Sequence, residues 1–187
     1  MVCPMNVPWL DMFRDALKSG NVRPIVLSLA TVDSTGHPCV RSVICRRVDD
    51  DGSLWITTDS RSDKHAQLKV HPFAEALIWI ERNREHFRFA GPVDVIDGSS
   101  LSRDRLDLWR EMTPQSRAMF FWPNPGTPRA ADDGASASTS EVLAPPETFL
   151  VLKLRPTRVD YLLLSTQPHT RLRWTFGEQW DREELNP

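Results

Sequence analysis

Two arginines, Arg41 and Arg46, stand five residues apart in the stretch PCVRSVICRRV. On a flat strand that spacing points them to opposite faces, Arg41 with Val43 and Cys45, and Arg46 with Ser42 and Ile44. The next β-rich stretch ends in Thr57 and Thr58. The polar turn Asp59-Ser-Arg-Ser-Asp-Lys64 follows and opens a short helix. Hydroxyls, an arginine and a lysine at a strand end beside a helix N-terminus can receive a phosphate. An ordinary alternative accounts for the same residues: Ser60 or Ser62 caps the helix, and Arg61 and Lys64 are solvated.

Other chemistries are excluded. The chain has no Gly-x-Gly-x-x-Gly, no Walker A motif and no Gly-x-Ser-x-Gly. With only eight glycines, side chains must hold any anionic cofactor. The five histidines have no metal-ligand spacing, and no metal site is expected. Cys3, Cys39 and Cys45 are too few for a disulfide framework, which suits a reducing cytoplasm. Cys45 reads as a small core residue. The net charge of −2 argues against nucleic-acid binding, and no apolar run is long enough to span a membrane. The N-terminal residues do not form a secretory signal.

The elements that must carry these residues alternate short strands with turns. Residues 8–19 form an opening helix with Trp9, Leu10, Phe13 and Leu17 on one stripe. Strands are expected from Pro24, over 38–48, 53–58, 73–81 and 84–97, then at 148–156, 157–165, 171–176 and after Gly177. Gly91-Pro92 marks a bulge or bend. Short helices are expected over 62–70, over 101–112, where Leu101, Leu108, Trp109 and Met112 share a face, and from Thr113-Pro114 to Phe121. Residues 127–147, rich in Pro, Ser, Ala and Gly, read as a flexible loop. The acidic residues of 130–147 give that segment −4 and leave +2 on the rest, which suits an anionic ligand. About eight strands without long alternating helices predict one domain, residues 1–187: a mostly β, antiparallel barrel with peripheral short helices. Trp9, Trp79 and Trp109 fit core stripes, and Trp122 and Trp174 are candidates to line a pocket or interface. Arg82, Arg84 and Arg88, near Glu81 and Glu85, read as a solvated or paired strand surface.

Taken in order, Arg41-Ser-Val-Ile, Trp55-Ile-Thr-Thr58, Ser62-Asp-Lys64, Trp79 and His86-Phe-Arg-Phe-Ala-Gly91 resemble the pyridoxamine 5′-phosphate oxidase-like FMN-binding split barrels. Arg171-Leu-Arg173-Trp-Thr-Phe, Trp180 and Leu185-Asn-Pro187 resemble that family's closing strands. The resemblance implies a Greek-key split barrel, a homodimer and FMN at the subunit interface. It also implies an oxidoreductase acting on a small molecule, or alternatively a flavin carrier or sensor without turnover. By position, Arg41 and Lys64 would hold the FMN phosphate, Thr57, Thr58 and Ser62 would assist, and Ser42, Val43 and Ile44 would lie along the flavin. His86 stands where the family has Gln, and Arg173 would reach the flavin from the partner subunit. Arg46 and Arg171 would meet substrate. The family's Arg-Leu-His-x-Arg reads His169-Thr-Arg171-Leu-Arg173 here, so the cofactor half matches better than the substrate half. A changed substrate is the expectation.

Overall fold

The computed structural model describes residues 7–99, 102–128 and 144–187. Its elements run α1 (Leu10–Ser19), β1 (Ile25–Val32), β2 (Pro38–Val48), β3 (Leu54–Asp59), α2 (Asp63–Val70), β4 (Phe73–Ile80) and β5 (Glu85–Ile96). Then come α3 (Arg103–Glu111), α4 (Pro114–Ala118) with a 3-10 turn at Met119–Phe121, β6 (Phe149–Leu154), β7 (Arg158–Leu163), β8 (Thr170–Phe176) and β9 (Trp180–Leu185). The expected strand and helix order is therefore observed, with nine strands among the described residues. Most of the expected loop falls on 129–143, outside those residues, as do Leu101 and Cys3.

The strands pair antiparallel in the order β4-β1-β2-β3-β6-β5-β7-β8-β9, and β4 also pairs β5. That last pairing closes six strands into a barrel, and β7, β8 and β9 continue as an extension. Period-two alternation fills the barrel: Leu27 and Leu29, Val43 and Cys45, Ala76, Ile78 and Ile80, and Phe87 and Phe89 are all buried. Helix α1 plugs one end with Trp9 and Phe13, both fully buried, and their rings meet Phe89. Two tryptophans differ from expectation. Trp79 lies on the outer side of β4, between buried Ile78 and Ile80, and is exposed. Trp174 packs in the barrel core instead of lining a pocket. Glu85 also turns inward, where it accepts from the Tyr161 hydroxyl and the Asn83 amide. Cys45 is core as expected, and burial pushes its thiol up to about 12.

A second, smaller core forms outside the barrel. Trp55 on β3, Leu108, Trp109 and Met112 around α3, Phe120, and Phe149 and Val151 on β6 are buried together. Arg105 fastens α3 to the start of β6 by donating to the Phe149 and Pro146 carbonyls. The Thr113 hydroxyl caps α4 by accepting from the Ser116 N–H at 3.2 Å, and Pro114 follows at the first-turn position where it loses no hydrogen bond. This core holds the segment after α3 against the outer side of β3.

The register of β5 with β4 runs unbroken through Gly91-Pro92, so the expected bulge is absent there, but Gly91 is where β5 changes neighbours on its other side. Residues 85–90 pair β7, and residues 93–96 pair β6. A Cβ on Gly91 would sit 2.0 Å from the Arg155 carbonyl oxygen and 3.0 Å from Pro156 Cα, both backbone atoms. Gly91→Ala is therefore expected to lower stability by about 1–3 kcal/mol, the usual cost of overpacking. Urea denaturation checks this. An unchanged midpoint would show that the crossing has room to spare.

Candidate functional site

The structure brings one set of sequence-predicted residues together around a cavity of about 460 Å³, a size typical of small-molecule sites. Ser42, Val43, Ile44 and Arg46 of β2, Thr57 and Thr58 of β3, and Ser62 and Lys64 at the start of α2 all line it. Met112, Ser116, Met119, Phe120 and Trp122 form the facing wall. Alternation on β2 explains the first group. Val43 and Cys45 point inward, so Ser42 and Ile44 face out, toward the cavity. The β2–β3 register shifts between Cys45 and Arg47, and Arg46 donates to the Thr57 hydroxyl at 3.3 Å.

Arg41 has the inward parity but sits near the barrel mouth. Its guanidinium donates to the Leu29 carbonyl (3.1 Å), the Thr31 hydroxyl (2.5 Å) and Gln67 Oε1 of α2 (2.9 Å). It lines a smaller cavity of about 150 Å³ with Ser62, Asp63, Lys64, Pro125 and Gly126. Ser62 and Lys64 belong to both cavities, so the two adjoin. The Lys64 ammonium donates to the Ser62 hydroxyl at 2.8 Å, and that hydroxyl donates to the Asp59 carbonyl. Ser62 thus occupies the cap position of α2 without capping it with its side chain.

Among the described residues, Arg41, Arg46 and Lys64 form no ion pair with a carboxylate, and the atoms they hydrogen-bond are neutral. Burial lowers the pKa of each, and nearby Arg41 lowers that of Lys64 further, against a pull upward from Asp59 and Asp63. Asp63 also acts on Arg41, but no carboxylate touches these cations, and partly desolvated cations without a contacting anion favour one that completes them.

Arg61, read from sequence as either solvated or part of a phosphate-binding turn, does something else. It grips the Asp59 carboxylate at 2.6–3.2 Å and donates to the carbonyls of Trp122 (2.7 Å) and Phe120 (3.3 Å). That holds the facing wall at the cavity rim and occupies Asp59, the carboxylate in the larger cavity's described lining; Asp63 lines the smaller one. No local sequence signal marks it, because its partners lie about sixty residues away.

His86, Arg171 and Arg173 do not line either cavity. They lie on β5 and β8 around Asp160 of β7, which is almost fully buried. One Asp160 oxygen accepts from Arg173 at 2.8 and 2.9 Å, with Arg88 at 3.5 Å and Arg171 at 3.9 Å from it. The other lies 3.2 Å from Arg158, and Glu75 pairs with both Arg88 and Arg158. His86 is held below its usual pKa by burial first and by Arg88 and Arg171 next, outweighing Asp160.

Comparison with known proteins places this geometry. Residues 6–97 match the model of the pyridoxamine 5′-phosphate oxidase FMN-binding domain. A pyridoxamine 5′-phosphate oxidase-related, FMN-binding protein from Nostoc punctiforme is 31% identical. It superposes with a TM-score of 0.90 over 97% of this chain and 98% of its own. PhzG from Burkholderia lata, solved with tetrahydrophenazine-1-carboxylic acid, shares the fold at a TM-score of 0.81 and 22% identity, covering 100% of this chain and 94% of its own. Pyridoxine/pyridoxamine 5′-phosphate oxidase 2 of Arabidopsis thaliana is 28% identical, with 96% of this chain and 97% of the relative aligned. The antiparallel barrel with its β7–β9 extension and the cation-lined cavity on β2 and β3 are thus those of a chain that belongs to the pyridoxamine 5′-phosphate oxidase-related FMN-binding family, with FMN as its cofactor.

Proposed function

We infer that the protein is an FMN-dependent oxidoreductase acting on a small molecule, and that FMN lies along β2 with its phosphate at the start of α2. The carrying observation is the set of half-buried cations without carboxylate partners around two adjoining cavities. The donor set fits the cofactor. Arg41, Lys64 and Ser62 surround the small cavity and suit a phosphate, which is a dianion above a pH of about 6. Thr57 and Thr58 add hydroxyls beside it. The larger cavity then offers the Ser42–Ile44 stretch of β2, with the Ser42 and Ile44 side chains facing out, to the ring system. Bound flavin supplies two-electron transfer to or from substrate, so the chain needs no nucleophile of its own. Its residues bind, orient and screen. Arg46 stands within the same cavity to meet an anionic group of the substrate, and Phe120 and Trp122 restrict water.

The same reading makes the protein a homodimer. Around the barrel, β1 and β4 separate the cavity on β2 from the arginine cluster on β5, β7 and β8. The outer side of β1 and β4 presents exposed Val26 and Trp79, apolar surface that a second copy would cover. A two-fold axis through that face sets His86, Arg171 and Arg173 of each subunit toward the other's cavity. Arg173 would then meet the flavin edge, where a cation favours the anionic reduced form, and Asp160 would fix its orientation. Sedimentation of FMN-loaded protein is expected to show two 21.4 kDa chains. A flavin-loaded particle of a single chain at all concentrations would overturn the arrangement.

Two further outcomes test the site. Arg41→Ala and Lys64→Ala should each weaken FMN about tenfold to a hundredfold, from the loss of a charge-assisted bond of roughly 1.5–3 kcal/mol, with the barrel still folded. Fluorescence titration of flavin checks this, and unchanged affinity in both would move the phosphate elsewhere. The pH dependence follows from Lys64. Burial and Arg41 lower its pKa below the usual 10.5 in the free protein, and a bound phosphate raises it again. FMN affinity is therefore full below the depressed value and falls as pH rises toward the value in the complex. The decline should begin below pH 10.5, and Lys64→Gln should remove it.

The catalytic reading is tested by assay. Anaerobic mixing with its substrate should bleach the flavin's visible absorption. Pyridoxamine 5′-phosphate under air should turn over more slowly than about 1 s⁻¹, the low end of ordinary enzymes. The changed His169-Thr-Arg171-Leu-Arg173 stretch is the reason. Faster formation of pyridoxal 5′-phosphate would restore the vitamin B6 reaction as the function.

A further inference from the structure

The larger cavity has two regions of different chemistry. Beside Lys64 it is polar. Beyond β2 it is walled by Met112, Met119, Phe120 and Trp122, with Ser116 and Arg46 as the polar groups. Met119 is 53% and Trp122 47% exposed, large apolar surfaces kept open at a cavity rim. The backbone that carries them is anchored: the Phe120 ring packs edge-on against Trp109 and Phe149, and Arg61 holds the carbonyls on either side of Phe121. An open wall of aromatic and thioether groups on an anchored segment suits a flat apolar ring.

The charge count limits what that ring carries. Asp59 is the one carboxylate among the described lining residues, and Arg61 neutralises it. With Arg41 and Lys64 given to the FMN phosphate, Arg46 is the remaining cation lining the cavity among the described residues, and it donates to the neutral Thr57 hydroxyl. Ser116 is the polar group that the α4 side offers; no cation of α3 or α4 lines the cavity among the described residues. The arginines that a partner would bring on β8 arrive with Asp160 already between them. A dianion in this region would keep one charge unmatched and partly desolvated, which selects against it.

We propose that the substrate is a planar, largely apolar ring system bearing one negative charge, a carboxylate, with the ring against Phe120 and Trp122 and the carboxylate on Arg46. This rests on placing the FMN phosphate at Arg41 and Lys64. The probes are naphthalene-1-carboxylate and 1-naphthyl phosphate, which share a ring and differ in charge. Each is titrated into FMN-loaded protein while the flavin's visible spectrum is followed. The carboxylate is expected to bind about tenfold or more tightly than the phosphate. Arg46→Gln should cost the carboxylate about tenfold or more, in line with a charge-assisted bond, and Trp122→Ala should weaken both probes. Flavin content is read in every sample. A protein that fails to take up FMN would contradict the cofactor placement instead. With FMN bound, a phosphate probe that binds as tightly as the carboxylate, an Arg46→Gln variant with unchanged affinity, or no binding of either probe would each overturn the proposal.

Discussion

Strand β5 carries the architecture because it has three partners. β4 flanks residues 85–92 on one side, while on the other β7 takes 85–90 and β6 takes 93–96. The exchange requires the chain near Arg155 to pass against Gly91 at a distance that no Cβ allows. One consequence is closure, since β5 completes the six-strand ring. The other is the extension, since β7 can leave the barrel only where β5 releases it. The cavity on β2 and β3 depends on the ring, and the Asp160 cluster depends on the extension. A single backbone crossing therefore positions both sets of functional residues.

The two sets treat positive charge in opposite ways. Around Asp160, four arginines share two carboxylates, Asp160 and Glu75, and the central carboxylate is buried. Such a network is rigid, because moving any one guanidinium uncovers a desolvated charge. Around α2, the cations meet neutral oxygens only: Thr31, Gln67, the Leu29 carbonyl, Ser62 and Thr57. Hydrogen bonds fix their direction without cancelling their charge. The first arrangement preserves geometry, and the second preserves affinity for an anion.

Much of this was legible in the sequence where the cause is local. Period-two alternation grouped Arg41, Val43 and Cys45 on one face of β2 and Ser42, Ile44 and Arg46 on the other, and the first face is the one that holds the buried Val43 and Cys45. Arg41 and Arg46 were correctly set on different sides of one strand, although the reason that both reach the cofactor region is not local. Arg41 sits where the barrel opens beneath α2, and Arg46 lies beside the register shift in β2. Trp79 was misread because its strand, FAEALIWI, is largely apolar on both faces, so hydrophobicity alone does not say which face is inward. Trp174, a pocket candidate by its sequence, is core because its register partner on β7 is the buried Val159, a pairing its own stretch does not reveal. Glu85 carries a charge pattern typical of a surface, and only the Tyr161 hydroxyl and Asn83 amide make its inward position tolerable.

Arg61 shows where local reading stops. The turn Asp59-Ser-Arg-Ser-Asp-Lys64 contains every ingredient of a capped helix start, and its neighbours predict solvated side chains. In the fold, Ser62 turns back to the Asp59 carbonyl and supports Lys64, while Arg61 reaches across to the carbonyls of Phe120 and Trp122. Six consecutive residues thus hold both the polar end of the cavity and its aromatic wall. Arg61 thereby sets how far the aromatic wall stands from Lys64 and Arg46. A change in the length or sequence of the segment that Arg61 grips would therefore reshape the aromatic wall while leaving the Asp59–Lys64 turn intact.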